Sequence, residues 1–299
     1  MSNPHAAPPI WITATLAQAL LALEDGASLD DPSPDLGITR VPAVRAGSVI
    51  RWGGWSIPRE VLEHARGNER VYRATALDAV APTADDALPS VTGLRALEVR
   101  GGRFAKLQPT LDAPALVLDG ISMHIAKKDT PWRTTRAMAA AVRPAGRNVL
   151  DCCGGLGYVA IHSVAAGARS VTSVEACPEV IALRADNPWS AALTDPRIAL
   201  VEGDIREVLA GMADGSFEAA VHDPPRLTRR TGDLYGRPFY RELFRVLARG
   251  SLLLHYLGRP GVTRGRLHTA GVPDRLLESG FVDLAPVDAV QSILARKPR

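Results

Sequence analysis

No stretch of this sequence reaches the roughly 20 uninterrupted apolar residues that a membrane span requires. Its opening residues, Met1 to Pro9, lack the basic segment and apolar core of a secretory leader. A cytoplasmic protein with no membrane partner is expected. Cysteine is scarce, with three residues of which two are adjacent, Cys152 and Cys153. That excludes a disulfide framework and a spaced set of metal ligands, so small buried thiols and no metal are expected. An excess of one charge is also missing. The formal net charge of +3 gives no chain-wide basic field, and a case for nucleic acid has to rest on a local patch. Internal repeats and low-complexity tracts are absent.

What is present is an ordinary globular composition, 46% hydrophobic over 299 residues, enough to bury one large core and a smaller one. Residues 12–23 carry a helical signal that ends in the breaker-rich run Asp30-Asp31-Pro32-Ser33-Pro34. Residues 1–38 are therefore expected to form an appended helix and linker. From there to residue 128 short apolar runs alternate with Gly and Pro, and Leu97 to Leu107 reads as a hairpin around Gly101-Gly102. A small, mainly β domain over 39–128 follows.

From residue 129 to 299 the texture becomes regular. Strands are expected at 148–151, 170–175, 198–201, 217–221 and 251–256, with helices at 158–166, 178–186, 205–212 and 237–247 between them. This alternation gives an α/β, Rossmann-like, doubly wound sheet, whose ligand sits at the carboxyl ends of the strands.

The turn after the first strand holds Gly154, Gly155 and Gly157. Gly155 to Ala160 also fits the dinucleotide pattern, and tight glycine turns of this kind serve nicotinamide, flavin or S-adenosylmethionine alike. Asp151 in front of the turn separates these cases, because a carboxylate there repels a pyrophosphate and suits the ammonium of a methionine-derived amino acid. S-adenosylmethionine is the expected cofactor. Glu175, followed by Ala176, ends the second strand, where an acid accepts hydrogen bonds from ribose hydroxyls. Asp204 after the third strand suits the adenine amino group, and Ile205 suits the ring face. The fourth strand then runs into His222-Asp223-Pro224-Pro225-Arg226. His222 and Asp223 are the catalytic candidates, able to orient an acceptor or take its proton.

Together these features resemble the class I S-adenosylmethionine-dependent methyltransferases, with a seven-stranded sheet. More narrowly, the chain resembles a family of predicted archaeal methyltransferases. The resemblance rests on Leu150 to Tyr158, Asn187 to Ser190, His222 to Arg226 and Arg241 to Leu247, and covers roughly residues 120–299. It implies methyl transfer to a small or medium-sized nucleophile, and Trp132, Tyr158, Arg226, Tyr235 and Tyr256, by their places along the chain, are the candidates for contact with the acceptor. Methyltransferases acting on base nitrogens usually carry an aromatic residue after Pro-Pro. Arg226 stands there instead, so a small-molecule partner is favoured over nucleic acid. The Arg226, Arg229, Arg230 and Arg237 cluster suits a carboxylate or phosphate clamp as well as a solvated loop. Aminopropyl-type alkyl transfer or cyclisation of S-adenosylmethionine, a non-catalytic RNA-binding module, a nicotinamide oxidoreductase and a homodimer all stay open on sequence alone.

Overall fold

The computed structural model describes residues 8–67, 69–75, 88–125, 129–226, 231–258 and 271–299. The chain divides into two compact units, Met1–Ala126 with Asp186–Trp189, and Lys127–Ala185 with Ser190–Arg299.

In the first unit, described residues form one three-stranded and two four-stranded antiparallel sheets. The hairpin around Gly101-Gly102 joins Glu98–Arg100 to Phe104–Gln108. At the start of the chain the structure differs from the sequence reading. The helix occupies only Ala14–Leu21, and Trp11–Thr13 is a strand paired with Val71 to Arg73. The β-branched pair Ile12-Thr13 favours extended backbone. Thr13 then caps the helix by accepting a hydrogen bond from the Leu16 amide at 3.3 Å. This segment is part of a core, since Ile10, Ile12, Ala17 and Leu20 cluster with Trp52, Trp55, Ile57 and Leu62.

In the second unit the elements, in chain order, are α1 (Pro131–Ala141), β1 (Asn148–Asp151), α2 (Tyr158–Ala165), β2 (Ser170–Glu175), α3 (Pro178–Asp186), β3 (Ile198–Glu202), α4 (Ile205–Ala210), β4 (Phe217–His222), α5 (Arg237–Val246), β5 (Leu247–Tyr256), α6 (Val272–Glu278), β6 (Val282–Val287) and β7 (Ser292–Arg296). They build one seven-stranded sheet in the order β3-β2-β1-β4-β5-β7-β6. The first five strands are parallel, and β7 is antiparallel to both of its neighbours.

Both faces are covered, as the apolar strand sequences require. On one face Val149, Val171, Ala219, Val221 and Leu254 pack with Met138 of α1 and with Val159 and Val164 of α2. On the other, Leu150, Ala220 and Leu253 pack with Leu209 of α4, Phe239 and Leu243 of α5, and Leu276 of α6. Strand order reverses between β1 and β4, so the connections from these two strands diverge and leave a crevice at their carboxyl ends.

Candidate functional site

Strand parity decides what reaches the crevice. Successive side chains point to opposite faces, so Asp151 lies on the same face as Val149, and Ser173 and Glu175 on the face of Val171. That is the α1/α2 face. Asp223 follows β4 in phase with Val221 and is electrostatically coupled to Asp151. Three carboxylates thus gather at the reversal of strand order.

Asp151 is fully buried. Its Oδ2 accepts a hydrogen bond from the Ser173 hydroxyl at 2.8 Å, whereas Oδ1 has no partner among the described residues. Burial pushes the carboxyl up to about 6, with the Glu175 charge adding to the rise and Ser173 and Arg184 opposing it. Asp223 is half-buried, and burial, reinforced by the charge of Asp151, raises it to about 7.

The turn between β1 and α2 is held in place by these groups. Gly155 N donates to Glu175 Oε2 at 2.8 Å, and Cys177 N donates to Oε1 at 2.9 Å. Gly157 has φ +86, and a Cβ there would lie 2.5 Å from Leu193 Cδ1, so glycine avoids both backbone strain and a displacement of Leu193. A Cβ on Gly154 would collide with the Ser173 hydroxyl. Gly155 is the contrast: a Cβ there meets nothing within 4 Å, so open space lies before the turn. Ala176, next to Glu175, is exposed.

Two residues of this cradle were not singled out from sequence. Ser173 fixes Asp151. Arg184 of α3, 8% exposed, donates from Nε to Gly155 O at 2.7 Å, while its Nη2 has no partner among the described residues. Its signal was a charged residue in the apolar stripe Val180, Leu183, Arg184. Cys153 is half-buried, and its thiol is raised by burial and then by Cys152 and the same three carboxylates, which places it among them.

Other expected residues stand elsewhere. His222, expected beside Asp223, shares parity with Ala220, faces the α5 side, and is fully buried with its ring 4.7 Å from those of Phe239 and His255. Its Nε2 bonds to Leu234 O at 3.0 Å, and burial lowers the imidazole to about 4. Its Nε2 is thus engaged with the backbone of the Pro-Pro connection, on the sheet face opposite the three carboxylates. Ile205, expected against an adenine ring, is 4% exposed and belongs to the core with Val174 and Leu209. Asp204 caps α4 by accepting from Arg206 N at 2.9 Å, and its carboxylate is paired with the Arg206 guanidinium.

Tyr235 is buried beneath the Pro-Pro turn, its hydroxyl donating to Pro225 O at 2.9 Å. Tyr256 is half-buried on the Asp223 side. Burial, with the Asp223 charge adding and Arg226 opposing, raises its phenol to about 12. Arg226 is exposed, and Arg229 and Arg230 lie outside the described residues. Trp132 lies against His162 at a tilt of 56°, ring centroids 4.1 Å apart, and meets Tyr158 edge-on at 5.5 Å, at the start of α2.

The arrangement suits a ligand with positive charge. At an effective dielectric of about 20, two unit charges about 5 Å apart interact by about 3 kcal/mol, so three carboxylates repel a pyrophosphate and attract a cation. Among the described residues no group of three His, Cys, Asp or Glu is placed to hold a metal, and no helix is long and apolar enough to cross a membrane.

No family model matches the chain. Over 198 residues it is 39% identical to an uncharacterized protein of Methanocaldococcus jannaschii, MJ1233, covering 66% of this chain and 68% of that one. Among solved structures it is similar to a spermidine synthase from Thermotoga maritima, with a TM-score of 0.52 at 18% identity over 67% of this chain and 72% of that one. A probable spermidine synthase from Corynebacterium glutamicum gives a TM-score of 0.50 at 16% identity, over 67% and 79% of the two chains. These likenesses show a shared fold, the Rossmann-like seven-stranded sheet.

Proposed function

Because the chain belongs to the family of the uncharacterized Methanocaldococcus jannaschii protein and has a carboxylate-lined crevice where strand order reverses, we propose that it is an S-adenosylmethionine-dependent methyltransferase acting on a small or medium-sized nucleophile. The observation that carries the reading is Asp151, buried with one oxygen unpartnered among the described residues and its carboxyl raised to about 6. Such a group is unfavourable without a cationic ligand and well suited to an ammonium. This and the open space before Gly155 are the fit between the residues and the cofactor.

When bound, S-adenosylmethionine supplies a methyl group on a positively charged sulfur that leaves readily. The chain's own residues do the rest. Asp151 binds the ammonium. Glu175, already ordered by the Gly155 and Cys177 amides, keeps lone pairs for the ribose hydroxyls. Asp223, with a carboxyl near 7, exists in both protonation states at neutral pH and is matched to taking a proton from the acceptor. Tyr256 and the Pro224-Pro225 turn border Asp223. Positioning supplies most of the acceleration.

A second reading keeps the cofactor and changes the carbon attacked, giving aminopropyl-type transfer. The acid-lined crevice favours it to the extent that the acceptor is an amine. The two separate by product when the protein is incubated with S-adenosylmethionine and candidate acceptors. S-adenosylhomocysteine is expected, and methylthioadenosine would overturn methyl transfer.

A further inference from the structure

The turn that carries Asp223 has few ways to be held. Pro224 and Pro225 have no N–H, so their carbonyls are the handles left to the backbone. Pro225 O is taken by the Tyr235 hydroxyl at 2.9 Å. Arg226 O is taken by the Thr231 hydroxyl at 2.6 Å. Leu234 O is bound by His222 Nε2 at 3.0 Å. A carbonyl only accepts, so Nε2 carries the proton. Nδ1 has no partner among the described residues. The far end is anchored in turn, because Arg275 Nε of α6 donates to Tyr235 O at 2.7 Å.

His222 and Tyr235 are therefore neighbours under one turn, their ring centroids 6.5 Å apart, each bonded across it in the opposite direction. The residue before Asp223 grips the end of the connection, and the residue at its end grips the start. We propose that His222 and Tyr235 are positioning residues, which cross-brace the Asp223-Pro224-Pro225 turn and thereby fix the Asp223 carboxylate toward the positively charged part of the cofactor. This rests on the reading of Asp223 given above.

The test uses His222→Gln, which keeps an N–H near the Nε2 position, His222→Phe, which fills the apolar cage without a donor, and Tyr235→Phe, which removes one oxygen. Calorimetry at pH 8 gives the affinities for S-adenosylmethionine and S-adenosylhomocysteine, and hydrogen exchange follows the Asp223 and Arg226 amides in the free protein. A charge pair that loosens from about 5 Å to about 7 Å at an effective dielectric of about 20 weakens about five-fold.

His222→Phe and Tyr235→Phe are expected to bind S-adenosylhomocysteine within about two-fold of wild type, to lose about five-fold for S-adenosylmethionine, and to exchange faster at the turn. His222→Gln is expected to match wild type in all three. A merely structural defect would weaken both ligands together. If the two variants without a donor keep the wild-type ratio of affinities, or if His222→Gln is as impaired as His222→Phe, the proposal is overturned. If wild type itself does not distinguish the ligands, the reading of Asp223 has failed. Exchange then decides the bracing alone, and unchanged exchange in Tyr235→Phe sinks it. Should His222→Phe fail to fold, Tyr235→Phe carries the test.

Discussion

Replacing Asp151 with asparagine is expected to stabilise the free protein at alkaline pH while weakening its ligand binding. The carboxyl is fully buried and held near 6, about two pH units above its ordinary value of 3.8. A carboxyl with a raised folded pKa binds its proton more tightly in the folded chain than in the unfolded one. Its contribution to stability is thus present at low pH and is lost as pH rises from about 4 to about 6. At about 1.4 kcal/mol per pH unit, ionised Asp151 costs the free protein about 3 kcal/mol above that window. Asparagine removes the charge, keeps the shape, and can still accept from the Ser173 hydroxyl. Its buried NH₂ has no partner waiting and costs about 1 kcal/mol. The net gain at pH 8 is about 2 kcal/mol, and near pH 4.5 the gain should vanish or reverse. Urea unfolding of both proteins at the two pH values measures this. A variant less stable than wild type at pH 8 would refute the claim that Asp151 is an unfavourable charge awaiting a cation. In the same variant, affinity for S-adenosylhomocysteine should fall about 100-fold, as for a buried charged hydrogen bond worth about 3 kcal/mol.

Asp223→Asn should bind S-adenosylhomocysteine normally and lose turnover. In wild type, affinity for S-adenosylmethionine relative to S-adenosylhomocysteine should fall as pH drops through about 7, because the raised carboxyl becomes neutral there; a flat ratio between pH 6 and 8 would contradict the role. Gly155→Ala should cost only about 1 kcal/mol of stability, from its φ of +51, yet block ligand binding, because its Cβ enters open space. Gly157→Ala should destabilise by about 3 kcal/mol through strain and collision with Leu193, and unfolding curves of the two glycine variants separate them. Asp204→Ala should cost about 1 kcal/mol as a lost helix cap and weaken S-adenosylhomocysteine by no more than about five-fold. A loss near 100-fold would mean that Asp204 holds the ligand despite Arg206.

The alternating half of the fold is plain in the sequence, because strands such as Asn148–Asp151 and Phe217–His222 are buried on both faces and read as short continuous apolar runs. Less legible was α1, whose sequence Pro-Trp-Arg-Thr-Thr-Arg-Ala-Met-Ala-Ala-Ala has few large apolar residues to mark a period. Residues 12–23 looked helical throughout because Ile12 extends the apolar count, although its β-branched neighbour Thr13 serves as the cap. Within the site, Asp151, Glu175 and the glycines were legible because each ends a strand or opens a helix. The surroundings of His222 are not legible in sequence for a physical reason: in a sheet covered on both sides, parity separates the two faces but both are buried, so only the contacts with Leu234 and Phe239 reveal which one holds the imidazole. Asp204 was ambiguous because one carboxylate can cap a helix or meet a ligand. Ser173 acts through a contact distant in sequence, which periodicity does not record, whereas Arg184 shows as a charge in an apolar stripe but not as a partner of the Gly155 carbonyl.

The proposed crevice of three carboxylates is expected to select a cationic adenosine ligand. Calorimetric titration of the 299-residue chain at pH 8 with S-adenosylmethionine, S-adenosylhomocysteine and NAD tests it most directly. Saturable one-to-one binding of the first two is expected, tighter for the charged S-adenosylmethionine, with none for NAD. Tight binding of NAD with no binding of either sulfur ligand would contradict it.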